Sequence, residues 1–288
     1  MRMKRSKKVR LSRSLGGNIS INLMLMLFGA VMILPMVYSI SSALKPMEEL
    51  WIFPPRFLPR NPTFQNFADL FHLLNDSWVP FSRYLFNTMF VAIAGTAGNV
   101  ILGSMCAFAM SKMEFPGRRL FFQMAVLSLM FTGSVTGLPN FIIMSGLGWI
   151  DSYLSLIIPT FASSLGLYLM KQFMDSMLPD TVLESAKIDG AGDMHTFWQI
   201  VMPIVKPAWL TLIIFSFQGL WNMGSTIYIY SENLKPLNYA MQQILTAGIS
   251  RQGAAAASAV IMMIVPIVVF VFSQSNVVET MATSGMKD

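Results

Sequence analysis

Six stretches of this chain, 14–44, 84–111, 120–150, 152–170, 207–231 and 252–278, contain no Asp, Glu, Lys or Arg. One charged side chain at the centre of a bilayer costs about 3 kcal/mol. About 20 apolar residues, rising 1.5 Å each as a helix, cross the hydrocarbon layer. Runs of this length and composition therefore restrict the chain to an all-α membrane protein, with six expected transmembrane helices. Charged residues make up only 12% of the sequence, about half the share in a soluble domain. Two shorter uncharged runs, 194–205 and 236–250, fall below spanning length and are expected to lie outside the hydrocarbon.

The first stretch follows a basic leader, 1–13, with Arg2, Lys4, Arg5, Lys7, Lys8, Arg10 and Arg13. The apolar run behind it is long for a signal peptide and ends in no clear small-residue cleavage site, so it reads as an uncleaved anchor. With that leader in the cytoplasm, six crossings place both termini inside. Fourteen Lys and Arg then fall on the inner side and six on the outer side, the bias expected for this orientation. The net charge of +6 follows from that bias and gives no reason to expect nucleic acid as a partner. Segment 14–278 reads as one membrane domain, with an external loop at 45–83, a cytoplasmic loop at 175–206 and a cytoplasmic tail at 279–288. The external loop carries Pro46, Pro54, Pro55, Pro59, Pro62 and Pro80 and is expected to hold one short helix around 64–74.

Gly95, Asn99, Gly103 and Ala107 recur every four residues. They share one helix face, where small side chains let another helix approach closely. Pro35, Pro139, Pro159 and Pro266 lie inside apolar stretches and are expected to leave local kinks. The lone Cys106 excludes an intrachain disulfide and reads as a small packing residue. His72 and His195 lack ligand-spaced companions, so neither a metal site nor a nucleophilic constellation is expected. No Gly-Lys dipeptide occurs, which excludes the phosphate-binding loop ending in Gly-Lys-Ser/Thr. The chain is therefore expected to be no enzyme and to hold no cofactor.

The segment 175–206 reads as two short helices around a turn. Asp180 is expected to cap the first, Gly190 to take the left-handed position that ends it, and Pro203 to limit the second. Within it Glu184-Ser185-Ala186 is followed after three residues by Gly190, and after nine more by Ile200-Val201-Met202-Pro203. This resembles the EAA loop of ABC importer permeases, Glu-Ala-Ala, three residues, Gly, nine residues, Ile-X-Leu-Pro, with Ser185 for Ala and Met202 for Leu.

The resemblance implies the type I importer permease fold and a non-catalytic transport subunit in the bacterial cell membrane. It assigns Glu184, Ser185, Ala186, Asp189, Gly190, Ile200 and Pro203 to contact with an ATPase. It further implies a second homologous permease, an ATPase dimer that holds ATP and Mg, and an extracellular binding protein. The run 139–174, together with Asp189-Gly190-Ala191-Gly192, Phe197-Trp198 and Lys206-Pro207-Ala208, is similar to the carbohydrate branch, in which the chain looks like the smaller permease of maltose-type systems. An oligosaccharide is then the expected cargo, with a non-sugar solute such as a polyamine as the alternative. Gln218, Trp221 and Asn222 are candidate contacts along the solute path, with Tyr228 and Tyr230 nearby. Gln and Asn suit sugar hydroxyls, and aromatic rings suit sugar faces.

Overall fold

The computed structural model describes residues 15–75, 79–131, 133–224, 227–246 and 248–284. The basic leader 1–13 and the last four residues, 285–288, lie outside the described residues. Among the described residues all regular structure is helical. α1 (Leu15–Ala43), α2 (Met47–Leu50) and α3 (Gln65–Asn75) lead into the long α4 (Phe81–Lys112). α5 (Arg118–Ser128), α6 (Gly133–Gly146), α7 (Leu154–Phe161), α8 (Ser164–Met177) and α9 (Asp180–Ile188) follow. The remainder comprises α10 (Asp193–Thr196), a π-helical turn (Phe197–Val201), α11 (Met202–Ile204), α12 (Lys206–Trp221), α13 (Leu237–Thr246), α14 (Gln252–Ser284) and two 3-10 turns, Glu232–Leu234 and Ile249–Arg251.

Four helical segments, Ile19–Ala43, Phe81–Lys112, Leu154–Met177 and Gln252–Ser273, are long and apolar enough to cross a bilayer. A fifth arises if Asp193–Ile204 and Lys206–Trp221, which meet at 82°, are taken as one bent span. The third uncharged stretch is divided instead between α5 and α6. α5 stops at Ser128 and α6 opens on Gly133, a break to which hydropathy alone is blind. The fifth stretch is helical only to Trp221, so Tyr228 and Tyr230 sit in the following loop rather than on the span.

α4 is the axis of the bundle and contributes to three apolar cores in turn. Near its start, Tyr84 packs with Leu70 and Leu74 of α3, Met241 of α13 and Ala257 of α14. At its middle, Val91 and Ala92 pack with Leu156, Ile157, Phe217 and Trp221. Near its end, Val100, Ala107 and Phe108 meet Met170 and Met174 of α8, Phe197 and Leu212. The small-residue stripe works as expected: a Cβ on Gly95 would come within 2.6 Å of the Leu220 side chain, and Ala107 is fully buried. Cys106, in contrast, is exposed on the surface of the single chain, because one residue of helix is about 100° of rotation away from Ala107.

Polar contacts fix the Tyr84 end. Asn66 of α3 donates to the carbonyls of Ala43 and Lys45 at 2.8 and 2.7 Å, pairing the last carbonyl of α1. Asn87 donates to the Asn233 and Lys235 carbonyls at 2.8 and 2.9 Å, laying segment 233–237 along α4.

Asp151 ties the α6–α7 connection to the loop after α12. Its amide donates to the Tyr228 carbonyl at 2.8 Å, and its carboxylate accepts from the amides of Tyr230 and Ser231 at 3.0 and 2.8 Å and from the Ser231 hydroxyl. The Ser231 hydroxyl first, then the Ser231 amide, hold this carboxyl below its usual pKa against the opposing effect of burial, with lesser help from the Tyr230 amide and the Lys235 charge. Because the folded value is depressed, the contribution is complete at neutral pH and disappears as pH falls below about 4 toward the folded value. We expect Asp151→Asn to melt below the parent at pH 7 and the gap to be narrower at about pH 3, below the ordinary carboxylate value. Asn keeps the left-handed backbone tolerated at this residue (φ 58°), so thermal melts of the detergent-solubilised protein at both pH values isolate the carboxylate.

Candidate functional site

Leu178 leaves α8 in extended conformation, and Pro179 starts α9 at its N-cap position. Asp180 is therefore one residue inside the helix rather than its cap, and its carboxylate pairs with Lys112 Nζ at 2.7 Å. That ion pair joins the start of α9 to the end of α4, a contact spanning too much sequence to be read from the chain. Arg118 donates to the Met113 and Ser111 carbonyls at 3.2 and 2.9 Å, which closes the end of α4 beside it.

α9 ends as its sequence leads one to expect. Gly190 has φ 78°; its amide donates to the Lys187 carbonyl at 3.1 Å, and the Ala191 amide to the Ala186 carbonyl at 2.9 Å. This paired closure with a left-handed glycine is the Schellman arrangement. The chain then reverses into α10, the π-helical turn and α11. The sequence led to the expectation that Pro203 limits this second arm; instead the helix runs through it to Ile204 and breaks at Val205. At that position in the first turn of α11, the missing amide proton of proline disrupts little.

The second arm is rooted in the bundle. Phe197 is buried against Phe108, with ring centroids 5.7 Å apart, and Val201 and Val205 are fully buried. In the first arm Ala186 faces inward, while Glu184, Ser185 and Asp189 are exposed and Ile200 on the second arm is half-buried. The Ser185 hydroxyl donates back to the Thr181 carbonyl at 2.8 Å. Glu184 and Lys187 line a cleft of about 750 Å³ shared with Lys112, Arg118, Asp180 and Asp193.

Two residues not anticipated from sequence stand at the tip, one on each side of the glycine turn: Ile188, 85% exposed, and Met194, 59% exposed. The available signal was a lone large apolar residue on each flank of Asp189-Gly190-Ala191-Gly192-Asp193 in an otherwise polar run. Together with the carboxylates of Glu184 and Asp189 they form an apolar tip with a charged rim on a firmly anchored base. Such a surface fits a concave protein partner.

The candidate path residues are divided. Trp221 is fully buried, stacked on Phe217 at 6.0 Å, and its indole N–H donates to the Met262 carbonyl of α14 at 2.9 Å. It acts as an inter-helix packing group in this structure and presents no face to a solute. Gln218 and Asn222 are exposed; the Asn222 amide donates to the Gln218 carbonyl at 2.9 Å, and Asn238 donates to the Asn222 carbonyl at 2.5 Å.

The model of the family described as "binding-protein-dependent transport system inner membrane component" matches residues 99–282, which include the whole α9–α11 arm. The chain belongs to this family. Among curated relatives of this inner membrane component, a polygalacturonan/rhamnogalacturonan transport system permease of Bacillus subtilis is 29% identical over 80% of this chain and 78% of its own length. An sn-glycerol-3-phosphate transport system permease of Yersinia enterocolitica is 32% identical, covering 69% of this chain and 71% of the relative. A diacetylchitobiose uptake system permease of Streptomyces coelicolor is 31% identical, covering 69% and 64%. A chain of a bacterial ABC transporter involved in alginate import superposes with a TM-score of 0.76 at 22% identity, over 92% of this inner membrane component and 99% of that chain. The last likeness establishes the fold.

Proposed function

We propose that this chain is a non-catalytic permease subunit of an ATP-driven carbohydrate importer. It crosses the membrane six times with both termini in the cytoplasm, and it works with a second homologous permease, an ATPase dimer and an extracellular sugar-binding protein. Membership of the family and the saccharide cargoes for which several relatives are named support the reading. The observation that carries it is the arm at 180–204, whose tip presents Ile188 and Met194 while its root is buried.

In this reading Ile188 and Met194 seat in a cleft of the ATPase. Glu184 offers a carboxylate to a basic group on the rim, strengthened by charge assistance. ATP and Mg stay on the partner. When the ATPase subunits close, they displace the tip, and the arm moves as a unit because Phe197, Val201 and Val205 lock it against α4 and α8. The displacement reaches α12 directly through Val205, where the arm and the span meet. The apolar surface of α1, largely exposed in the single chain, is covered by lipid and by the second permease.

Purification of the tagged chain from native membranes in mild detergent, followed by mass spectrometry, tests this assembly. An ATPase, a second permease and a sugar-binding protein are expected together. Recovery of a solitary chain would sink the proposal.

A further inference from the structure

A cavity of about 320 Å³ lies where α4, the break between α7 and α8, and α12 meet. Its polar lining is Asn99, Thr160, Ser163 and Ser216, and Leu165 and Phe215 are among the apolar side chains that complete it. No lining residue carries a charge. The volume is at the small end of the range for ligand sites, about 300–1,000 Å³.

Asn99 is 3% exposed. Its amide nitrogen donates to Ser216 Oγ at 2.5 Å, but its buried amide oxygen Oδ1 has no partner. Leaving such an acceptor unpaired costs about 1–3 kcal/mol, and buried polar groups are normally paired. Glycine at 166 keeps side-chain atoms off this buried oxygen. A Cβ on Gly166 would lie 3.2 Å from Oδ1 and 2.9 Å from a Leu212 methyl, so any larger residue there would crowd it. Two hydroxyls add capacity beside it. Thr160 Oγ1 donates to the Ile157 carbonyl at 2.6 Å and keeps lone pairs to accept. Ser163 Oγ accepts from the Gly166 amide at 3.1 Å and keeps its proton to donate.

An unpaired amide oxygen, two hydroxyls and an aromatic side chain in one uncharged lining suit the hydroxyls and faces of a sugar ring. A carboxylate or phosphate would find no cation here, and burying an unpaired anion is far more costly than burying a hydroxyl. We propose that this cavity receives one neutral sugar unit of the carried solute, with a hydroxyl donating to Asn99 Oδ1, and that the cargo is therefore an uncharged saccharide. This rests on the permease reading above.

Gly219 also lines the cavity, and a Cβ built on it meets nothing within 4 Å. Gly219→Leu therefore adds bulk to the cavity wall from a position where the backbone accepts a Cβ and raises helix propensity; Asn99→Leu removes the acceptor. The test uses cells carrying the intact importer, cells lacking only this chain, and cells carrying either variant, with membrane levels matched by immunoblot. All are fed a mixture of neutral oligosaccharides, uronate oligosaccharides and sugar phosphates, and depletion of each is followed by mass spectrometry. Chain-dependent depletion of neutral saccharides, reduced about tenfold or more by Gly219→Leu and by Asn99→Leu, is expected. Depletion confined to uronates or phosphates overturns the inference and leaves the carbohydrate permease standing. Undiminished depletion in both variants overturns the site. No chain-dependent depletion of any saccharide overturns both readings.

Discussion

Gly190→Val is expected to reduce solute uptake by the assembled importer about tenfold or more while leaving the chain in the membrane at its normal level. The glycine backbone sits at φ 78°, where an L side chain costs about 1–2 kcal/mol, and each 1.4 kcal/mol is a factor of ten. Nothing lies within 4 Å of the position a Cβ would take, so the substitution acts on the turn and not on packing. Relieving the strain breaks the closure through Lys187 and Ala186 and separates Ile188 from Met194. Gly190→Asn, which tolerates the left-handed region, should retain most uptake. Normal transport by the valine variant would mean that the turn geometry has no part in coupling. Uptake of the preferred saccharide and ATP hydrolysis measured on the same preparations separate uncoupling, in which hydrolysis persists, from failed docking.

Trp221→Ala has the largest expected effect on stability. The indole is fully buried, stacked on Phe217 and bonded to the Met262 carbonyl. Large-to-small changes of this kind cost about 3–5 kcal/mol, enough to lose most of a marginally stable fold. Trp221→Phe keeps much of the stacking and loses one hydrogen bond, about 1 kcal/mol. Size-exclusion profiles and thermal melts in detergent should rank parent, phenylalanine and alanine in that order. An alanine variant as stable as the parent would show that α12 and α14 are held together elsewhere.

Much of this architecture is legible in the sequence because lipid imposes a simple rule on charge. The uncharged runs locate the long helices, and the four-residue spacing of Gly95, Asn99, Gly103 and Ala107 identifies the face of α4 on which other helices converge. Gly190 is legible for a related reason: a glycine ending a short polar helix has a backbone role that few other residues can fill. Hydropathy does not report helix continuity, so the break between α5 and α6 escapes it. Long-range contacts escape it too. Asp180 reads as a helix cap until Lys112 is brought beside it, and Trp221 reads as an open aromatic face until α14 is seen to cover it. The orphan oxygen of Asn99 is the clearest case, since the same residue on a small-residue stripe reads as packing, and only the arrangement of Gly166, Ser216 and the α7–α8 break leaves it unpaired.

The 82° angle at Val205 makes the arm and α12 a bell crank. Twelve residues of arm at about 1.5 Å each give a lever of roughly 18 Å, so a rotation of about 10° about Val205 corresponds to roughly 3 Å of travel at Met194. With the two limbs nearly perpendicular, a pull across the tip becomes a tilt of the span, whereas a pull along the arm transmits almost no turning moment. Under the coupling proposed above, transport would depend on the direction of the force on the tip, and a partner that grips Ile188 and Met194 but pulls along the arm would bind without driving it.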